Sequence, residues 1–451
     1  MSARYGKCAL ILLVLLYGGC ATYTDTIRKV YGAADTGDYE TAILRLNDVL
    51  DVGSQEELPD QWTACRSLAV LERAVLLQAT RQYQWSARDL SAAETELEFL
   101  DMRSDPAGAI GKYIYSDSAE VYRTPPTERL AMSALNMLNY LALDDLEGAG
   151  VEARRFTVSR NYLQSVDETA HGAFGSYLAG FVFEKLGEPE RALRYYEEAL
   201  DAGDLQALRE PILRLSERAD YRGPKLSRYL DEWQTDGTHA RHEDSPSTAA
   251  DGEVLLVLGL GRVPHKVPAR IPIGAAIALA GQNVTGDLEL LSHVALKVVV
   301  YPELVARDIT VEHAGVSLNG QEVPVELVTD LGNEIAREYE SIKPKIIGSA
   351  LTRLIARAAA AEAARRLPRK SDESTKALAA LAAEAALVGL DKPDTRSWTF
   401  LPAQMYVSRV RVRPGRHELH VELRGRNRKT RVIRVDVPPG GFRVVPVIEP
   451  R

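Results

Sequence analysis

The sequence predicts an α+β multidomain protein: an N-terminal TPR-like α-helical array followed by an antiparallel β-sandwich-like domain with an inserted helical hairpin. Three observations carry that reading. Residues 25–233 repeat helix-pair patterns with few strand signals. After the polar stretch 235–252 the texture changes to short apolar runs. From Met405 onward, apolar and charged residues alternate with the period of a strand. At 451 residues and 45% apolar content, the chain can bury two or more cores.

Arg4 and Lys7 form a short basic start, 8–16 is an unbroken apolar run, and Tyr17-Gly18-Gly19-Cys20 follows. A basic start, an apolar core too short to span a bilayer and a small-residue exit describe a secretory signal. The cysteine directly after two glycines makes 1–19 resemble a bacterial lipoprotein signal peptide. In such signals the cysteine is acylated and becomes the first residue of the mature chain. Tyr17 departs from that pattern, and an ordinary cleaved signal with a stray cysteine is the plainer alternative. The expectation is palmitate-type lipidation at Cys20. Ala21, rather than Asp, favours the outer membrane by analogy with sorting in enterobacteria. The protein is then expected on the periplasmic face of that membrane.

Cys8 leaves with the signal and Cys20 carries lipid, so Cys65 has no internal disulfide partner. It falls among Ala64, Leu68, Ala69 and Leu71 and reads as a buried small hydrophobe. No later apolar run approaches the about 20 residues of a membrane span; the best, 274–281, is far shorter.

In the helical half (20–234), the clearest repeat unit runs over 173–204. Gly180, Phe183, Gly187, Ala192, Tyr196 and Ala199 fall at tetratricopeptide spacings, a repeat of about 34 residues. Small residues at 180 and 192 let two helices approach, Gly187 turns the chain, Tyr196 fills the gap, and Pro189 suits a helix start. An earlier copy over 29–51 has Gly37, Ala42, Leu46 and Val49. A looser one over 136–156 has Tyr140, Ala149, Ala153 and Phe156, with Asp144 where a turn glycine would stand. A generic all-α bundle is the plainer alternative. Stacked helix pairs create a concave surface of the kind that binds peptides or proteins. On the helix beginning near Pro125–Pro126, Glu128 and Arg129 lie within reach of Glu152 and Arg155, whose spacing allows an ion pair.

The linker 235–252 contains His239, His242, Glu243 and Asp244, but a flexible polar segment does not preorganise a metal site, and none is expected. The β-rich half (253–451) opens with an apolar strand at 253–261. Strands at 294–301, 308–312 and 322–328 follow. Gly259-Leu260-Gly261 lacks the third glycine and the Lys-Ser/Thr of a phosphate loop, and Pro264 stands where its helix would begin. The insertion, about 331–390, reads as two alanine-rich helices. One has the stripe Ile347, Leu351, Leu354, Ala358 and Ala361; the other has Leu378, Leu381, Ala385 and Val388. Strands at 405–413, 417–423, 430–437 and 442–448 close the chain.

The net charge of −8 argues against nucleic acid as a partner. It is unevenly spread: 409–434 holds ten Arg/Lys against Glu418 and Glu422. Arg409, Arg411 and Arg413 share one face of a strand and are the candidate contacts for a polyanion such as peptidoglycan; a solvated face guarding a sheet edge is the plainer reading.

Asp394-Thr395-Arg396-Ser397-Trp398, then Leu401-Pro402-Ala403-Gln404, then Pro414-Gly415 with His417, resemble a family of TPR-like bacterial envelope lipoproteins. Asn139-Tyr140-Leu141, 151–155 and Arg270-Ile271-Pro272-Ile273 agree with it. The resemblance carries no activity over. It implies an envelope lipoprotein of a family sometimes associated with lipoproteins linked to cell-wall synthesis. On the residues themselves, Asp394 pairs with Arg396 or caps the turn, and Trp398 anchors the helical insertion on the sandwich; a binding site at Asp394, Arg396 and Trp398 is the sharper alternative.

No nucleophile–base–orienter set, H-E-x-x-H or C-x-x-C occurs, so neither an enzyme nor a cofactor is expected. The leading expectation is a lipid-anchored, non-enzymatic adaptor or scaffold that binds a periplasmic protein. The alternatives are a peptidoglycan or polyanion binder using the β-domain and, behind it, a hydrolase.

Overall fold

The structure, a computed structural model, describes residues 23–96, 122, 124–166, 172–235, 251–293, 298–307, 311–366, 393–425 and 428–451. The predicted signal with Cys20, the linker residues His239, His242, Glu243 and Asp244, and the second insertion helix lie outside the described residues. The protein is mixed α+β. Among the described residues, no helix is long and apolar enough to cross a membrane.

Among the described residues, eight helices form four pairs: α1 Tyr23–Asp35 with α2 Tyr39–Leu50, α3 Ala64–Ala79 with α4 Tyr83–Glu96, α5 Pro126–Ala142 with α6 Leu146–Val166, and α7 Ala173–Lys185 with α8 Pro189–Ala199. Each pair turns on one residue in the left-handed region, and these are Gly37, Arg81, Asp144 and Gly187. The turns share one hydrogen-bond pattern. The next residue's N–H reaches back to the helix end: Asp38 to Ala33 O at 3.1 Å, Gln82 to Leu77 O at 2.8 Å, Asp145 to Tyr140 O at 2.9 Å and Glu188 to Phe183 O at 2.9 Å. This is the Schellman closure, which satisfies the last carbonyls of a helix. So short a connection makes each pair antiparallel. Tyr23 lies near Cys65, Gln78 donates to Asn139 at 2.8 Å and Gly172 meets Leu130, so the first helices α1, α3, α5 and α7 start at a common end. The pair α3/α4 was not among the units expected from sequence, because Arg81 occupies the position where glycine signals the turn. Helices α9 Arg209–Ser216 and α10 Pro224–Thr235 follow.

Among the described residues, ten strands follow: β1 Gly252–Leu260, β2 His265–Pro272, β3 Val298–Val305, β4 Val311–Leu318, β5 Gln321–Val323, β6 Glu326–Asp330, β7 Gln404–Val412, β8 Gly415–Gly425, β9 Lys429–Val437 and β10 Phe442–Glu449. They form sheets of order β10-β1-β7-β6, β5-β4-β8-β9 and β2-β3. The expectation of purely antiparallel strands needs correction: β1 and β10 pair in parallel, because β10 crosses from the second sheet to the edge of the first.

Strand β1 is buried along its whole length and serves two cores. Leu255 and Val257 join the core of the helices. Val254, Leu256, Leu258 and Leu260 join Val316, Leu318, Leu419, Val421 and Ile433 of the second sheet. Alternation across a strand explains why a sequence read as one apolar run covers both faces.

Between β6 and β7 the chain leaves the sheet as α12 Leu331–Arg366, the first helix of the predicted insertion. Helix α11 Ile273–Ala280 and the β2–β3 pair pack on it in a third cluster with Tyr339, Ile347, Leu351 and Ile355. Gly348 is required there, since a side chain would run into the backbone of Asn283.

Candidate functional site

The helices of the first half pack against strands of the second. Helices α3 and α5 pack on β10, and α7 packs on β6. One hydrophobic core contains residues of both halves, from Ile27 and Leu76 to Leu255, Phe400 and Ile448. The halves therefore meet in a shared interior.

The segment 394–401 is the centre of that junction. Asp394 accepts from Arg396 Nε at 2.7 Å, as its spacing predicted. Trp398 is fully buried and donates its indole N–H to Leu71 O at 3.0 Å, so it anchors the β half on α3. This corrects the expectation that it holds the helical insertion to the sandwich. The carboxylate of Glu72 takes the next two main-chain N–H groups, Thr399 at 2.9 Å and Phe400 at 2.7 Å. Tyr31 O–H donates to Thr399 Oγ1 at 2.8 Å. Burial pushes the Glu72 carboxyl up to about 8, opposed by those N–H groups and by Arg262 and Arg307. Arg262 packs 4.5 Å over the Phe400 ring and donates to Asp35 at 2.7 Å and to Pro450 O at 2.6 Å. With all these groups engaged, the DTRSW segment is an internal clasp.

The arginine face divides in the same way. Arg409 is 3% exposed and bonds Glu184 of α7 at 2.7 Å, Glu253 of β1, and the Tyr196 hydroxyl at 2.9 Å. Burial alone would raise Glu184, but Arg409, Lys185 and Arg214 hold it well below the usual carboxylate range. The predicted surface contact is thus an interior ion cluster, because the face that carries all three arginines is covered by α7 at Arg409 and runs out to solvent at Arg411 and Arg413. Arg411, beside Glu210 at 3.5 Å, and Arg413 are exposed.

The repeat residues sit where their spacing implies. Ala192, Tyr196 and Ala199 are fully buried. A side chain at Gly180 would overlap the Tyr196 ring, and Gly187 has φ +76°. Glu152 accepts from Arg155 at 2.8 Å. Glu128 turns instead to the Tyr122 hydroxyl at 2.6 Å. Cys65, expected in the core, is exposed at the second position of α3.

Sequence reading missed Glu72 and Arg73, and one signal pointed to them. Two charged residues interrupt the apolar run 68–77, and both are fully buried. Arg73 bonds Asp89 at 2.7 Å and Asn47 at 2.8 Å, joining three helices.

Two of the second helices carry exposed apolar side chains. Leu44 on α2 is 60% exposed, and Val151 and Val158, two turns apart on α6, are 42% and 63% exposed. Among the described residues, no group of three or more His, Cys, Asp or Glu is placed to hold a metal. No family model, curated protein or solved structure matches this chain.

Proposed function

We propose that this chain is a lipid-anchored protein of the bacterial envelope, held at the periplasmic face of the outer membrane through Cys20. It acts there as a non-enzymatic adaptor that docks a protein partner, in keeping with the link to cell-wall synthesis that its DTRSW segment implies. In this reading the helix pairs are TPR-like and the two larger sheets sandwich-like. The observation that supports docking is the exposed apolar pair Val151 and Val158, two turns apart on α6. Exposed aliphatic side chains on the outer face of an otherwise well-packed array favour a partner of apolar chemistry there.

The test is photo-crosslinking from position 158 in intact envelopes. A specific protein recovered from Val158 and lost in Val151→Asp supports the adaptor reading; recovery of no specific protein contradicts it. The polyanion alternative is weakened by the engagement of the Arg409 side chain with Glu184 and Glu253, which leaves Arg411 and Arg413 as its exposed contacts.

A further inference from the structure

Helix α11 has an unusual arrangement for a water-facing helix. Its sequence, Ile273-Gly-Ala-Ala-Ile-Ala-Leu-Ala280, contains no polar side chain. It buries the small residues Ala276 and Ala280 and leaves Leu279 50% exposed, beside exposed Ala275 and Ala278. In the following turn, Leu288 is 44% exposed between exposed Asp287 and Glu289, and Arg270 is exposed on the strand leading in. Ile273 and Ile277 pack inward beside these alanines, while Leu279 and Leu288 put two bulky apolar side chains where a water-facing surface normally carries charges or small residues.

Its place in the fold says what covers it. Thr127 N–H, in the first turn of α5, donates to Glu338 of α12 at 3.1 Å, and Lys266 N–H at the start of β2 donates to Ser397 at 3.1 Å. Both elements therefore pass the end of the array where the first helices begin. Beyond that point α12 and β2 run on to α11, and the cluster that holds α11 contains no residue of α1–α10. Tyr23, the first residue of α1, is buried at that same end, with Tyr31, Cys65 and Tyr122 around it. Only Ala21 and Thr22 separate it from Cys20, a reach of about 10 Å when extended.

The geometry points to α11 as a second membrane contact, with Leu279 and Leu288 inserted in the lipid leaflet that holds the Cys20 acyl chains. This inference rests on the lipid-anchor reading above. A tether of two residues gives the body no freedom to stand away from the bilayer, and the end it holds down is the end from which α11 projects. Insertion is an apolar contact, so it does not depend on anionic lipid; the exposed Asp287, Glu289 and Arg270 remain at headgroup level.

The test uses the full lipidated chain in vesicles of phosphatidylethanolamine and phosphatidylglycerol, with Cys65→Ser and a fluorophore on Leu279→Cys. Leu288→Cys gives a second position, and Leu44→Cys serves as a water-exposed control. Quenching by lipids brominated in the acyl chain, at least about threefold stronger at 279 and 288 than at 44 and unchanged by high salt, supports the inference. Quenching by aqueous iodide alone overturns it. Shielding from both quenchers also overturns it, since a second copy or residues 367–392 then cover the helix. If the protein fails to float with the vesicles at all, the anchor reading has failed, whereas flotation with an aqueous probe rejects the α11 contact alone.

Discussion

The indole N–H of Trp398 and the main-chain carbonyl of Leu71 meet at 3.0 Å across 327 positions of sequence. Beside them, the two oxygens of Glu72 take the next two N–H groups of the strand-bound segment. Together these bonds tie the β half to the middle of α3.

Trp398→Ala is expected to remove the clasp and cost about 3–5 kcal/mol, the range for a large aromatic deleted from a core. Trp398→Phe keeps most of the ring and loses the hydrogen bond, so about 1 kcal/mol is expected. Urea denaturation checks both. Because the two halves share a core, helix and sheet signals should be lost in one transition; separate transitions would contradict a shared interior.

The three arginines of β7 should differ sharply. Arg409→Ala leaves Glu184 and Glu253 buried beside each other and is expected to cost about 3–5 kcal/mol. Arg411→Ala and Arg413→Ala, at exposed sites, should stay within about 0.5 kcal/mol. Folded Glu184 and Glu253 are held below the ordinary carboxylate range. Their contribution is therefore present above the unfolded value and lost as pH falls toward the folded one. Thermal melts of the wild type and Arg409→Ala should converge under acid conditions.

Glu72 has the opposite sign. Its folded carboxyl is raised to about 8, so the folded state holds the proton more tightly than the unfolded chain. Stability should fall as pH rises from the ordinary glutamate value of about 4.3 to about 8, by on the order of 1 kcal/mol per pH unit. Glu72→Gln removes that dependence at the price of one acceptor for the Thr399 or Phe400 N–H. Melting temperatures from pH 5 to 8 decide the point: parallel slopes for the two proteins would exclude a proton on Glu72.

At the four helix-pair turns, Gly37 and Gly187 carry the left-handed conformation freely, while Arg81 and Asp144 adopt it at a cost. Arg81→Gly is expected to stabilise the protein by up to about 1 kcal/mol, read as a higher urea midpoint. Gly187→Ala should destabilise by a similar amount.

Much of this architecture was legible in the residues. The four closing strands, the first insertion helix and the roles of Gly180, Gly187 and Tyr196 follow from periodicity and from the few residues that tolerate a tight approach. The α3/α4 pair escaped because Arg81 gives no glycine signal. The parallel partner of β1 escaped because pairing between strands so far apart in sequence leaves no local trace. Arg409 looked like surface because alternation assigns two faces without saying which one another domain covers. The same limit hid the clasp: Trp398 and Glu72 each look unpartnered until α3 and the strands are brought together.

The central claim is that acyl chains on Cys20 hold this body against a bilayer. Labelling cells with radioactive palmitate and purifying the protein tests it most directly. The account predicts label in the wild type, none in Cys20→Ser, and release of that variant from the membrane fraction. An unlabelled wild type, with Cys20→Ser sedimenting as before, would contradict it.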